Sequence, residues 1–452
     1  MMARRGFAAN MIPAAVAASL ALLLLLGAAT ATFTWAADSV SSPASAAGGI
    51  ASGTTITTSN WQQYRQFMPE GMQALFEGKY AWKMPPDVQI VVGPTVIHPL
   101  PTGYVEATNK YAPKVQMVAL PDGGFTIKDY VAGAPFPNPS EPHKGWKVLA
   151  DVWFRYIPHI IAATQAEPTS FCLQDRYDNI TCDKTIFVYH QLMHNTDPGV
   201  PRDNPEAAGR WYTEWSMIVE PEQLKYTASL TLLYDDLTKP QDTYAFVPEL
   251  RRVLRQNASS RCGPVFGSDF TRDDVRYGFN GEIPTFSSKY LRDQKILALS
   301  DYNMKAGAFP AEYYMPLGWP KPSWGQWELR DTYVIDVRRL PSQAQGYCYG
   351  KRVMYVDKET FAPLWEDLYD VQGKFWKIMM QCPRARMVPG LGIQTVTGSS
   401  VSAIWDLQNR HAARFVDPTN DGRDVLMNQQ VPVAYQSIER YGGPTGLNEI
   451  MR

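Results

Sequence analysis

The chain has 452 residues, 45% of them hydrophobic and 12% aromatic, and a formal net charge of -1. That content supports a large core, and the absence of a long block of one charge sign excludes the concentrated basic face that nucleic-acid binding needs. Its 13 Trp and 24 Tyr, with abundant Pro and Gly, favour a strand-rich fold with many turns.

The first segment reads as an export signal. Arg4 and Arg5 precede an apolar stretch that starts at Met11 and peaks in LALLLLLGAATA. Small-residue cleavage sites follow Ala31 and Ala36, which predicts a signal peptide over residues 1–36. The stretch is also long enough to span a membrane uncleaved. RRGF fits a twin-arginine signal loosely. Cleavage takes the net charge from -1 to -3. The first cysteine is Cys172, so a lipid-bearing N-terminal cysteine is not expected.

Residues 37–55 are small and polar and read as a flexible linker. An N-terminal helical and extended lobe is expected over 56–165. Its first helix, in TSNWQQYRQFMPEGMQALFEG, takes a cap from Ser59 or Asn60 and breaks at Pro69. A second helix is predicted from Trp146, Leu149, Trp153, Tyr156 and Ile160, stopping near Pro158.

From about Phe171 a two-residue period dominates. In YTASLTLLY, Tyr226, Ala228, Leu230, Leu232 and Tyr234 share one face, and Thr227, Ser229 and Thr231 the other. TEWSMIVE groups Trp215, Met217 and Val219. WELRDTYVIDVR groups Trp327, Leu329, Tyr333, Ile335 and Val337. Residues 346–377 predict three neighbouring strands, 351–356, 363–370 and 374–380, with large apolar side chains on both faces. Such a sheet is covered on both sides or uses one side for binding. Residues 166–452 are therefore expected to form a mainly β, α+β domain.

Little of the sequence points to catalysis. His190 and His194 have helical metal-site spacing but lie in a strand-like run. Neighbouring carboxylates such as Asp235 and Asp236 point to opposite faces of a strand. There is no GxSxG elbow and no glycine-rich phosphate loop. No enzyme, metal or cofactor is predicted, although a hydrolase stays open as a lesser alternative. Cys172 and Cys182 are a hairpin apart and predict a local disulfide; Cys262, Cys348 and Cys382 leave one odd thiol. Arg251, Arg252 and Arg255, followed by Asp269, Asp273 and Asp274, form either a charge-paired loop or the rim of a groove.

YVAGAPFPNP, YAFVPELRRVLR, FGSDFTRDDV, GQWELRDTYVID and GKRVMYVDKETFAPLWEDLYDVQGKFWK are spread over residues 60–407. In these stretches the chain resembles the bacterial family known as domain of unknown function 1329, whose members look like relatives of LolA/LolB outer-membrane lipoprotein-sorting carriers. The resemblance implies a strongly curved antiparallel sheet forming an incomplete barrel, with helices packed against the concave face. It also implies a periplasmic protein that carries a hydrophobic ligand, an acyl lipid, between envelope components. Outer-membrane β-barrels and inner-membrane lipid exporters are the implied partners. Candidate groove residues are Trp215, Met217, Tyr226, Leu230, Leu232, Leu329, Tyr333, Trp365 and Tyr369, with Arg251, Arg252, Arg255 and Asp269 at the rim. The alternative is a non-catalytic module whose sheet is plugged and which docks an envelope partner through an exposed patch around GAPFPNP.

Overall fold

A computed structural model describes residues 49–257, 261–299, 309–388, 390–416 and 425–451. The predicted signal peptide and most of the predicted linker lie outside the described residues. No helix among the described residues is long and apolar enough to cross a membrane.

Among the described residues, fifteen strands form one antiparallel sheet. They are β1 (Ile160–Ala163), β2 (Thr169–Gln174), β3 (Ile180–Gln191), β4 (Arg210–Glu220), β5 (Ala228–Tyr234), β6 (Asp242–Val247) and β7 (Arg252–Gln256). There follow β8 (Phe286–Ala298), β9 (Glu328–Arg339), β10 (Tyr349–Asp357), β11 (Pro363–Asp370), β12 (Phe375–Val388), β13 (Gly392–Asp406), β14 (His411–Val416) and β15 (Leu426–Met427). Two meanders, β2 to β7 and β8 to β14, join where β14 pairs with β2. The order across the sheet is therefore β7-β6-β5-β4-β3-β2-β14-β13-β12-β11-β10-β9-β8. The short β1 extends the β3 edge beyond β2, and β15 pairs with β1.

The three strands expected within residues 351–380 are β10, β11 and β12, the last running on to Val388. Both of their faces are covered. On the first face, Met354, Val356, Leu368 and Met379 join Phe171, Phe187, Ile335 and Ile404 in one core around helix α3 (Lys144–Phe154). On the second face, Val353, Tyr355, Trp365, Tyr369 and Ile378 pack under α1 (Glu70–Glu77) and Trp82, Trp319, Trp324 and Trp327. Farther along that face, Trp215, Leu230 and Leu232 pack with Tyr441 and Leu447 from two short C-terminal helices. The surplus of large side chains thus has cover on both sides.

α3 is buried on almost every side, from Gly145 and Trp146 through Val148–Phe154, because it lies between the sheet and the loops above it. Gly145 lets it sit directly on β8: a Cβ there would come within 2.4 Å of the Tyr290 nitrogen. The helix ends at Phe154, earlier than the apolar spacing predicts, and Ile160 opens β1 instead. Near the N-terminus, Pro69 does divide the helical run, into a 3-10 stretch (Trp61–Phe67) and α1. Asn60 does not cap it: its Oδ1 accepts from the Thr57 amide at 2.8 Å.

The GAPFPNP loop is not the exposed patch that a docking module needs. Gly133, Ala134, Pro135 and Pro139 are buried, and only Asn138 in the loop is exposed. The Ala134 amide donates to Thr108 Oγ1 at 2.9 Å, and the Phe136 amide to Asp151 Oδ1 at 2.8 Å. Both acceptors are buried, so the loop is held down on α2 (Thr102–Tyr111) and α3.

Candidate functional site

The chain leaves the sheet at one edge strand, β7, and re-enters at the other, β8. The link runs over the first face, and Asn257 and residues 261–285 are its described part. It has little periodic structure and is held by buried charge. Arg261 donates to Asp273 Oδ1 at 2.7 Å, and Tyr347 Oη to Asp273 Oδ2 at 2.6 Å. Asp274 accepts from Arg352 at 2.5 Å and from Tyr349 Oη at 2.7 Å, and Arg352 also bonds Glu366. A disulfide between Cys262 and Cys348 fixes the start of this segment to the approach of β10. A second disulfide joins Cys172 and Cys182, directly opposite each other on β2 and β3. Cys382 is the remaining thiol and is buried.

A cavity of about 340 Å³ opens between this segment and strands β2 to β6. Phe171, Phe187, Phe266, Phe270 and Phe415 supply apolar walls. The floor carries hydroxyls from neighbouring strands: Thr185, Ser216, Ser229 and Thr231. Ser216 and Ser229 are paired in register, with oxygens 3.2 Å apart. Such a lining, mostly apolar with a few convergent polar groups, is typical of small-molecule sites.

One end of the cavity is charged. Glu214 and Thr231 face each other in register on β4 and β5. Glu214 is 7% exposed, and its Oε1 has no hydrogen-bond partner. Burial pushes its carboxyl up to about 7, against the opposing pull of Arg276, Arg272 and Arg155. None of these arginines reaches ion-pair distance of it. Arg272 donates to Thr231 Oγ1 at 2.9 Å and also bonds Gln256. Arg276 donates to the Trp153 carbonyl at 2.8 Å, with its guanidinium 4.5 Å from the Trp153 ring centre and 4.6 Å from that of Trp211. Arg155 in turn bonds the carbonyls of Val152, Arg276 and Tyr277. Burial lowers the pKa of all three arginines, with Arg155 falling to about 9 and Arg272 to about 10. Arg276 and Tyr277 both adopt left-handed backbone, φ 57° and 56°, at the cavity wall.

The groove candidates lie elsewhere. Trp215, Leu230 and Leu232 are buried on the second face under the C-terminal helices, with Met217 and Tyr226 beside them. Trp365, Tyr369 and Leu329 belong to the second-face core under α1. Tyr333 packs at the margin of the first-face core, 5.1 Å from the Lys144 ammonium. None of the nine borders the cavity. The rim candidates are dispersed as well. Arg251 and Arg252 are exposed at the β7 edge, and Arg255 bonds Asp242 on β6. Asp269 is pushed up to about 6 by burial, which Lys377 partly offsets, and its carbonyl accepts from Lys377 at 2.6 Å. Of the charged run first singled out, only Asp274 borders the cavity.

No group of three or more metal-ligating side chains occurs among the described residues. His194 is engaged by the Val131 carbonyl at 2.7 Å and Asp235 at 2.6 Å.

The sequence pattern of the family described as "Protein of unknown function (DUF1329)" matches residues 55–439. The chain belongs to the DUF1329 family. A relative, the uncharacterized protein PA3922 of Pseudomonas aeruginosa, is 22% identical over 332 residues, covering 72% of this chain and 68% of the relative. Among solved structures, a DUF1329 protein from Desulfovibrio piger aligns with TM-score 0.45 at 13% identity, over 67% of this chain and all of that one. A LolA superfamily protein from Nitrosomonas europaea aligns with TM-score 0.34 at 12% identity, over 62% of this chain and 90% of that one. In this DUF1329 chain the cavity is walled by FGSDFTRDDV, one of the stretches that carries the family resemblance.

Proposed function

We propose that this protein is a periplasmic carrier of a hydrophobic ligand, an acyl chain, held in the first-face cavity. The cavity itself carries the reading: five phenylalanines wall a space beside a hydroxyl-bearing floor. Binding would come from apolar contact, worth roughly 25 cal/mol per Å² removed from water before the cost of association.

A curved sheet with the cavity on its concave side belongs to the same reading. Arg272 bonds Thr231 on β5, while Asp274, two residues on, bonds Tyr349 on β10. These strands are eight places apart in the sheet. On a flat sheet, eight spacings of about 4.8 Å separate them by about 38 Å. Two residues of chain span at most roughly 7 Å, and the side chains at each end do not cover the rest. This supports a sheet that bends round its first face, with α3 and the crossing segment inside the bend. Outer-membrane or exporter partners remain part of the proposal, through the family resemblance alone.

The test is to incubate purified mature protein with a bacterial membrane lipid extract, separate it by size exclusion and identify co-eluting lipid by mass spectrometry. The carrier reading expects stoichiometric acyl lipid. Protein that elutes free of lipid sinks it.

A further inference from the structure

The charged end of the cavity does not suit a purely apolar occupant. Two buried guanidiniums, Arg155 and Arg276, and the half-buried Arg272 act on one buried carboxyl, Glu214. Each arginine spends its hydrogen bonds on backbone carbonyls or neutral side chains, and none is in an ion pair among the described residues. Asp274, on the same wall, is committed to Arg352, and Asp273 behind it to Arg261. Arg276 is 3% exposed, lines the cavity, and keeps Nε and Nη1 without partners. Arg272 keeps its Nε likewise. Buried charge of one sign is costly unless an opposite charge meets it. The local balance is short of anions, and Arg272 and Arg276 both line the cavity.

We propose that the cavity selects a single-chain amphiphile with an oxyanion head group. The head lies against Arg272 and Arg276, and the chain runs along Phe171, Phe187, Phe266, Phe270 and Phe415. This rests on the carrier reading and narrows it. At about 340 Å³ the space is near the lower end of the roughly 300–1,000 Å³ usual for ligand pockets, which suits one chain and not two. Arginine is the side chain best matched to carboxylate and phosphate oxygens. Glu214 opposes the head electrostatically. It sets a limit on how strongly an anion is held and keeps the empty site from carrying three unopposed charges.

Binding of palmitic acid, hexadecyl phosphate and hexadecanol to the purified mature protein, measured by isothermal titration at pH 8, separates the possibilities. A hydrogen bond to a charged group adds about 1.5–3 kcal/mol, so at least one of the two anions is expected to bind about tenfold or more tighter than the alcohol. Which anion wins identifies the head as carboxylate or phosphate. Arg272→Gln removes the preference: the anions lose about tenfold or more, and hexadecanol loses less. Arg276 packs against two tryptophans, and its loss threatens folding, so Glu214→Gln is the second variant: it tightens the anions more than the alcohol. Equal binding of alcohol and anions overturns the oxyanion site while the carrier reading survives. Failure of all three chains to bind overturns both.

Discussion

Arg272 and Asp274 are two residues apart in the chain, yet they bond Thr231 and Tyr349 on strands eight places apart in the sheet. The crossing segment therefore ties the two meanders together over the first face. Arg352 is the hub of that tie, 2% exposed, bonding both Asp274 and Glu366. Arg352→Met leaves two buried carboxylates without their cation. Loss of one partner of a buried pair costs about 3–5 kcal/mol. The denaturant midpoint should fall accordingly; a loss within about 1 kcal/mol means the tie is not structural.

The two disulfides should differ in weight. Cys172 and Cys182 are 10 residues apart, Cys262 and Cys348 are 86 apart. Chain entropy assigns about 2.7 kcal/mol to the shorter loop and about 4.6 kcal/mol to the longer. Replacing Cys262 and Cys348 by Ser should thus lower the melting temperature more than replacing Cys172 and Cys182. The reverse order shows that the crossing segment is held without its covalent link.

The second-face core is structural, and its loss should not touch binding. Leu230 is 0% exposed beneath the C-terminal helices. Leu230→Ala should cost about 2–5 kcal/mol in stability, with acyl-chain affinity unchanged in protein that remains folded. Ala245→Phe, at the cavity wall on β6, should do the opposite: abolish acyl binding with little change in melting temperature.

Stability should fall as pH rises from about 5 to 8. Burial holds the Asp367 carboxyl up at about 7, with Glu70 adding, and burial likewise lifts Glu366 to about 7 against the pull of Arg352. A carboxyl whose folded pKa is raised binds more protons folded than unfolded in this range. Its stabilising contribution is present below the unfolded pKa and is lost as pH rises through about 7. Asp367→Asn should flatten the slope of unfolding free energy against pH. An unchanged slope excludes Asp367 as its source.

Much of the sheet was legible because alternation is a strong signal. The strands within residues 351–380, the pairing of Trp215 with Val219 on one face and the local disulfide all follow from short-range pattern. The site was not, for two physical reasons. Thr227, Ser229 and Thr231 are legible only as the face opposite Leu230 and Leu232, and that face lines the cavity. Alternation tells two faces apart but does not say which one carries a cavity, and large apolar residues such as Trp365 and Leu230 belong to the packed second face. The crossing segment has no period at all. Its signal is the density of charge in FTRDDVRYG, where the rim reading takes in Asp273 and Asp274 but not Arg272 and Arg276. Four closely spaced charges flanked by Phe270 and Tyr277 in an otherwise sparsely charged chain are a hint of burial.

The most direct test of the carrier account is photo-crosslinking. A fatty acid bearing a diazirine near the chain end, bound to the purified protein, irradiated and mapped by peptide mass spectrometry, should label the first-face peptides around Phe171, Phe187 and residues 264–277. Labelling confined to the second face, or none above that of a denatured control, contradicts it.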